Sequence, residues 1–196
     1  MAGIAIKVAF DTQAVAALFD RQQQRLPVPA QHHSGDRNAG PTIDRAAALQ
    51  RVRDRLAAGD RLLLGLDLRK DPHTVLAAYD DSAGVTAAFN LNLLRRLNRE
   101  LQMDFDLAQF RHYATYSPHD GVARSYLVSE RAQVVGSRVL RRSFRFEAGE
   151  SIYTEQSQKY DRDMVQALTQ PSGFAVQAWF EDPQLPYALV ACQALA

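Results

Sequence analysis

Arg61-Leu62-Leu63-Leu64-Gly65-Leu66-Asp67-Leu68 is a near-continuous apolar run. Such runs suit a strand buried on both faces. Upstream, Asp44 is a good N-cap, and Leu49, Val52 and Leu56 recur at helical spacing. The sequence therefore predicts a helix over 44–58, stopped by Gly59. Further upstream, Ile4 to Phe10 reads as a short strand and Asp11 to Arg25 as a helix opened by an Asp cap. Between them and Asp44, the stretch Leu26 to Thr42 is broken by Pro27, Pro29, His32, His33, Gly35, Gly40 and Pro41, and reads as a loop. Strand, helix, buried strand is the signature of a parallel α/β sheet.

Downstream the pattern changes. Asp71 to Ala78 reads as a short helix. Gly84 to Gln102 reads as a longer one, with Leu91, Leu94, Leu97 and Leu101 on one side. From Phe110 to Ser157 short alternating segments follow, Leu140 to Phe146 among them, and these predict antiparallel strands. Lys159 to Thr169 returns to helix, with Tyr160, Met164 and Leu168 spaced four apart, and Pro171 and Gly173 end it. Phe174 to Phe180 and Tyr187 to Cys192 close the chain as a hairpin around Asp182-Pro183. The layout divides into a core over 1–69, an α+β insertion over 70–158, and a return to the core over 159–196.

Composition narrows the classes of function. The chain has 196 residues, 46% of them hydrophobic and 23% charged, as in an ordinary soluble globular protein. A formal net charge of +1 gives no electrostatic reason for a nucleic-acid or anionic-membrane partner. Cys192 is the single cysteine, so no disulfide forms within the chain, and a reducing, cytoplasmic compartment is expected. Cys192 itself reads as a small buried core residue. No stretch is long and apolar enough to span a membrane, and the N-terminus lacks the order of a signal peptide. His32 and His33 lack a ligand partner at metal spacing, so no metal site is assigned. One of Asp80 and Asp81 is expected to cap a helix.

Tyr153-Thr154-Glu155-Gln156-Ser157-Gln158-Lys159-Tyr160 carries the most chemistry. Read as a regular strand, it points Tyr153, Glu155 and Ser157 to one face. A carboxylate accepts hydrogen bonds and a hydroxyl can donate or accept, so the pair can hold an imidazole by both ring nitrogens. A solvated outer face of an antiparallel strand gives the same local pattern.

Several separate motifs now agree in order and spacing. Leu62 to Pro72 reads L-L-L-G-L-D-L-R-K-D-P, and Ala78 to Asn92 reads A-Y-D-D-S-A-G-V-T-A-A-F-N-L-N. N-R-E-L (Asn98 to Leu101), D-F-D (Asp104 to Asp106), F-x-H-x-A (Phe110 to Ala114) and T-E-x-S-x-K-Y follow. The series resembles the histidine-specific, S-adenosylmethionine-dependent methyltransferases, whose best known type is the L-histidine Nα-methyltransferase of ergothioneine biosynthesis. The resemblance is specific over Leu62 to Tyr160, and Gly3-Ile4-Ala5 and Asp44 to Gly59 extend it upstream.

The resemblance implies a Rossmann-like methyltransferase fold with an inserted α+β substrate-binding domain. It implies L-histidine as substrate and S-adenosylmethionine as methyl donor. Glu155 and Ser157 inherit the imidazole-binding role, and Tyr79 of A-Y-D-D inherits the amino-acid head group. Asn38 inherits a second head-group role, although only Ser34 and Asn38 agree with the family's G-S-T-I-G-N motif. His112, within F-x-H-x-A, reads as structural. No general base is assigned.

A Gly-rich loop after the first strand, which lets backbone approach the cofactor closely, has no counterpart here. By the resemblance the first strand–helix units of the family are absent, and the chain corresponds to a C-terminal portion. The erosion of the motif between two matching flanks is the pattern of a local reading-frame slip, which the nucleotide sequence around codons 26 to 43 would reveal. A parallel sheet without its first strands leaves an apolar edge open, so self-association is expected.

Overall fold

A computed structural model describes residues 44–182 and 184–196. The predicted strand at Ile4 to Phe10, the helix at Asp11 to Arg25, the loop at Leu26 to Thr42, and with it His32, His33 and Asn38, lie outside the described residues.

Helix α1 (Arg45–Arg53) begins where predicted. The Asp44 side chain accepts from the Ala47 backbone N–H, and Leu49 is buried. The helix ends five residues earlier than predicted. Arg53 turns back to donate to the Leu56 carbonyl, and the Asp60 carboxylate accepts from the Ala57 N–H, so side chains satisfy the turn that leads out. Gly59, at φ +91°, then swings the chain into β1 (Arg61–Asp67).

β1 is buried on one face only. Leu62, Leu64 and Leu66 are buried, while Arg61 and Leu63 are exposed. Its described partner is also not parallel. β7 (Phe174–Asp182) and β8 (Leu185–Ala194) form the predicted terminal hairpin, and β8 lies antiparallel between β1 and β7. The two flanking strands therefore run the same way, with the reversed strand between them. An apolar run cannot by itself distinguish one covered face from two. Here α1 and α4 (Arg162–Thr169) cover one side, and Leu49, Val165 and Phe174 pack on the β1 leucines together with Ala188, Val190 and Cys192. Burial pushes the Cys192 thiol up to about 11. On the other side Leu63, Phe180, Tyr187 and Leu189 stand exposed.

Between β1 and α4 lies the second body of structure. Helix α2 (Pro72–Tyr79) is capped by Asp71, with Pro72 at its first position, where a missing N–H costs nothing. Helix α3 (Val85–Leu101) is amphipathic. Leu94 is fully buried, and Leu91 and Leu97 flank it. These side chains pack on a sheet ordered β2 (Phe110–Ser117), β3 (Val122–Ser129), β6 (Ser151–Gln158), all antiparallel. Phe105, Phe110 and Phe146 meet edge-on or tilted beneath α3. A two-stranded ribbon, β4 (Gln133–Ser137) with β5 (Arg142–Phe146), completes this part. The strand predicted from Leu140 starts at Arg142. Leu140 and Arg141 form the turn, with Arg141 at φ +51°.

The two bodies meet at one seam. The helix predicted from Lys159 begins at Arg162, because Tyr160 is held in extended form beside β1. The Tyr160 N–H donates to the Asp67 carbonyl at 2.9 Å, and the Arg69 N–H donates to the Tyr160 carbonyl at 2.9 Å. Asp161 then caps α4 through the Met164 N–H. Among the described residues no helix is long and apolar enough to cross a membrane, and no cluster of three or more His, Cys, Asp and Glu side chains could hold a metal ion.

Candidate functional site

Tyr79 is the last residue of α2. The helix closes behind it through the Asp80 N–H to the Leu76 carbonyl, and α3 opens just beyond. Asp81 caps that opening by accepting from the Val85 and Thr86 N–H groups at 2.9 and 2.7 Å. These bonds, those from Thr86 foremost, hold the Asp81 carboxyl down to about 2. One member of the Asp80-Asp81 pair is therefore a cap, as expected.

The Tyr79 backbone is also pinned from the sheet. The Tyr79 carbonyl oxygen can only accept, so His112 Nε2, 2.7 Å away, carries a proton and donates to it. His112 Nδ1 then accepts from the Asn90 side-chain amide at 2.9 Å, and the same amide donates to the Tyr126 carbonyl. His112 is thus a neutral strut between α2, α3 and β3, which agrees with its structural reading.

Strand β6 carries Glu155 and Ser157. In register, Glu155 lies opposite Ser125 and Ser157 opposite Ala123, so these four share one face. Tyr153 does not share it. The ladder slips between Ser125 and Tyr126, which leaves Thr154 as an extra residue in β6. The Thr154 hydroxyl closes the bulge by donating to the Ser125 carbonyl at 2.9 Å. The slip reverses the alternation, and Tyr153 turns to the other face. There it packs on the Tyr126 ring, 5.3 Å between centroids, and its hydroxyl donates to Gln156. The expected trio on one face is therefore a pair, Glu155 and Ser157.

Lys159 draws the site together. Its side chain is 1% exposed, and its Nζ donates to the Tyr79 hydroxyl at 2.7 Å and to the Ser157 hydroxyl at 2.8 Å. It also lies 2.8 Å from the Asp67 carboxylate, at the end of β1. The second Asp67 oxygen takes Lys70 at 2.6 Å. Burial alone would lower the Lys159 pKa, but the hydrogen bonds to Asp67 and Tyr79 outweigh it and leave the value raised. Asp67 is the mirror case. Burial pushes its carboxyl up, and the bonds from Lys159 and Lys70 bring it below the ordinary value. The pair is an ammonium and a carboxylate.

Tyr79 and Ser157 are thus brought to one nitrogen, with Glu155 on the face of Ser157. Asn38 falls outside the described residues. Three residues escaped the sequence reading. The sequence places Lys159 in a helix and Asp67 in a buried strand, and only their pairing across the seam reveals them. Ser125, opposite Glu155, is 1% exposed, and its hydroxyl has no hydrogen-bond partner among the described residues. A buried serine inside a strand gives no sequence signal.

The model of the family described as histidine-specific, S-adenosylmethionine-dependent methyltransferases matches residues 38–194. A histidine N-alpha-methyltransferase of Mycolicibacterium smegmatis is 37% identical over 200 residues, covering 96% of this chain and 61% of that protein. One from Mycobacterium tuberculosis is 37% identical over 148 residues, covering 76% and 45%. Ergothioneine biosynthesis protein 1 of Neurospora crassa is 29% identical over 141 residues, covering 69% and 15%. The chain therefore spans about 61% of the first of these relatives and less of the others. A solved S-adenosylmethionine-dependent methyltransferase from Clostridium acetobutylicum shares 9% identity at a TM-score of 0.37, over 92% of this chain and 70% of that one, a likeness too slight to argue from. The family match rests on most of the chain and on relatives that agree with it: this chain belongs to the histidine-specific, S-adenosylmethionine-dependent methyltransferases.

Proposed function

We propose that this chain supplies the histidine-binding part of an enzyme that methylates the α-amine of L-histidine, in biosynthesis of the ergothioneine type. One observation carries the reading. Tyr79 and Ser157 come from separate motifs, yet their hydroxyls lie within hydrogen-bonding distance of the same buried Lys159 Nζ. In this reading Glu155 and Ser157 take the imidazole, Tyr79 takes the amino-acid head group, and Asn38 assists at the head group. The division into a core over 1–69 and 159–196 and a substrate-binding insertion over 70–158 goes with it. Its support is that the first sheet draws its described strands from the core spans and the remaining strands all fall in the insertion.

S-adenosylmethionine, when bound, would supply an electrophilic methyl group on a sulfonium. The described residues carry no Gly-rich turn of the kind that approaches this group. Their glycines, Gly59, Gly65, Gly84, Gly121, Gly136, Gly149 and Gly173, stand singly. No step is therefore assigned to these side chains beyond binding and aligning histidine, which is where proximity and orientation act.

A second reading is a histidine-binding module without catalysis. Incubation of the purified chain with L-histidine and methyl-labelled S-adenosylmethionine separates the two. Label on the α-nitrogen supports the enzyme. Histidine binding without transfer supports the module, and absence of both removes the proposal.

A further inference from the structure

The inference concerns the charge behind Tyr79, and it rests on the head-group role proposed above for that residue. An ammonium only donates, so the Tyr79 hydroxyl oxygen accepts from Lys159 Nζ at 2.7 Å. That bond does not use the Tyr79 proton, which stays available to a ligand. A hydroxyl that accepts from a cation is polarised, and hydrogen bonds in a chain strengthen one another. Lys159 Nζ also lies 4.7 Å from the centre of the Tyr79 ring, which holds the phenol against the seam.

The charge at the seam is unbalanced. Asp67 has one carboxylate, and two ammoniums share it, Lys159 at 2.8 Å on Oδ2 and Lys70 at 2.6 Å on Oδ1. Arg69 is matched separately, by Asp161 at 3.4 Å. The end of β1 therefore carries a surplus positive charge, and the Tyr79 hydroxyl is bonded to its buried member. Lys159 is 1% exposed, so water screens little of its charge on the Tyr79 side.

We infer that Lys159, with Lys70 across Asp67, is a positioning residue that tunes Tyr79 to take a carboxylate, so that the seam selects amino acids over the corresponding amines. A carboxylate only accepts, so it draws the Tyr79 proton while Tyr79 goes on accepting from Lys159. The chain of bonds runs from carboxylate through phenol to ammonium and is charge-assisted at both ends. The ligand supplies the negative charge that the seam lacks. Histamine keeps the imidazole of histidine but brings an ammonium and no carboxylate. It leaves the Tyr79 donor unmatched and meets repulsion from the surplus charge.

The test is calorimetry of the purified chain with L-histidine and with histamine, read as the ratio of the two affinities. The unaltered chain should prefer histidine by about 10- to 100-fold, the worth of a hydrogen bond to a charged group. Lys159→Met should lose most of that ratio, because histidine binding weakens while histamine binding holds or tightens. A purely structural role for Lys159 would weaken both ligands alike and keep the ratio. Asp67 stays paired with Lys70 in this variant, so its carboxylate is not stranded. Lys70→Met removes the surplus charge at a partly exposed position and leaves the Lys159–Tyr79 bond in place. Its ratio should fall by about 3-fold, and it serves where Lys159→Met does not fold. An unchanged ratio in folded Lys159→Met, or in Lys70→Met where it stands in, overturns the inference and leaves the site reading standing. Equal affinity of the unaltered chain for both ligands does the same. If the unaltered chain does not bind histidine, the site reading falls and takes the inference with it.

Discussion

Asp67 at the end of β1 and Lys159 just past β6 form an ion pair of 2.8 Å across the seam between the two sheets. The lysine is almost wholly buried and the carboxylate about a quarter exposed. A buried charge that loses its partner is costly, whereas the intact pair adds little over apolar groups of the same size. Asp67→Asn should therefore destabilise the chain by about 2–3 kcal/mol, somewhat under the fully buried case because Asp67 is partly wet. Thermal melting should fall by roughly 5–10 °C.

The same pair sets a pH window. The Asp67 carboxyl is held below its ordinary 3.8, so its contribution is present above that value and lost as pH falls through the folded value. Lys159 is held above its ordinary 10.5, so its contribution is complete below 10.5 and lost as pH rises through the folded value. The stability difference between the unaltered chain and the Asp67→Asn, Lys159→Met variant should be flat between these limits and change outside them. Denaturant midpoints measured across pH check this.

Gly121 offers a backbone test. It sits at φ +69°, and a Cβ there would lie 2.9 Å from the Lys159 carbonyl oxygen, which is backbone and cannot swing away. Gly121 also accepts from the Lys159 N–H at 2.7 Å. Gly121→Ala should cost about 1–3 kcal/mol and weaken histidine binding. Gly149→Ala is the control. Its φ is +84°, but its Cβ would meet nothing within 4 Å. It should cost about 1–2 kcal/mol of strain and leave histidine affinity unchanged.

His112→Leu removes the strut beneath Tyr79. The Tyr79 carbonyl and one amide proton of Asn90 lose their partners, at a cost of about 1–3 kcal/mol. Histidine affinity should fall by about 3- to 10-fold through displacement of Tyr79, measured by calorimetry on a variant whose fold is checked by circular dichroism.

The open face of the first sheet predicts association in solution. Leu63, Phe180, Tyr187 and Leu189 present apolar surface beside one another on adjacent strands. Sedimentation of the unaltered chain should show self-association that rises with concentration. Replacing Phe180 and Leu189 by lysine should shift it toward monomer.

The sequence carried some of this fold well and some not at all. The cap at Asp44 and the leucine stripe of α3 were legible because they are local chemistry. One-sided burial of β1 was not, since an apolar run looks the same whether one face or two are covered. The bulge at Thr154 was invisible for a different reason. Period-two reasoning assumes an unbroken ladder, and one extra residue inverted Tyr153 while leaving Glu155 and Ser157 paired. Lys159 was hidden by distance, because a buried charge makes sense only beside its partner, and Asp67 lies on another strand of another sheet.

The central claim is a histidine site built from Tyr79, Glu155 and Ser157, and titration calorimetry of the purified chain with L-histidine tests it most directly. The account predicts saturable one-to-one binding that weakens about tenfold or more in Glu155→Gln and in Ser157→Ala. Absence of binding by the unaltered chain, or equal affinity in all three proteins, would contradict it.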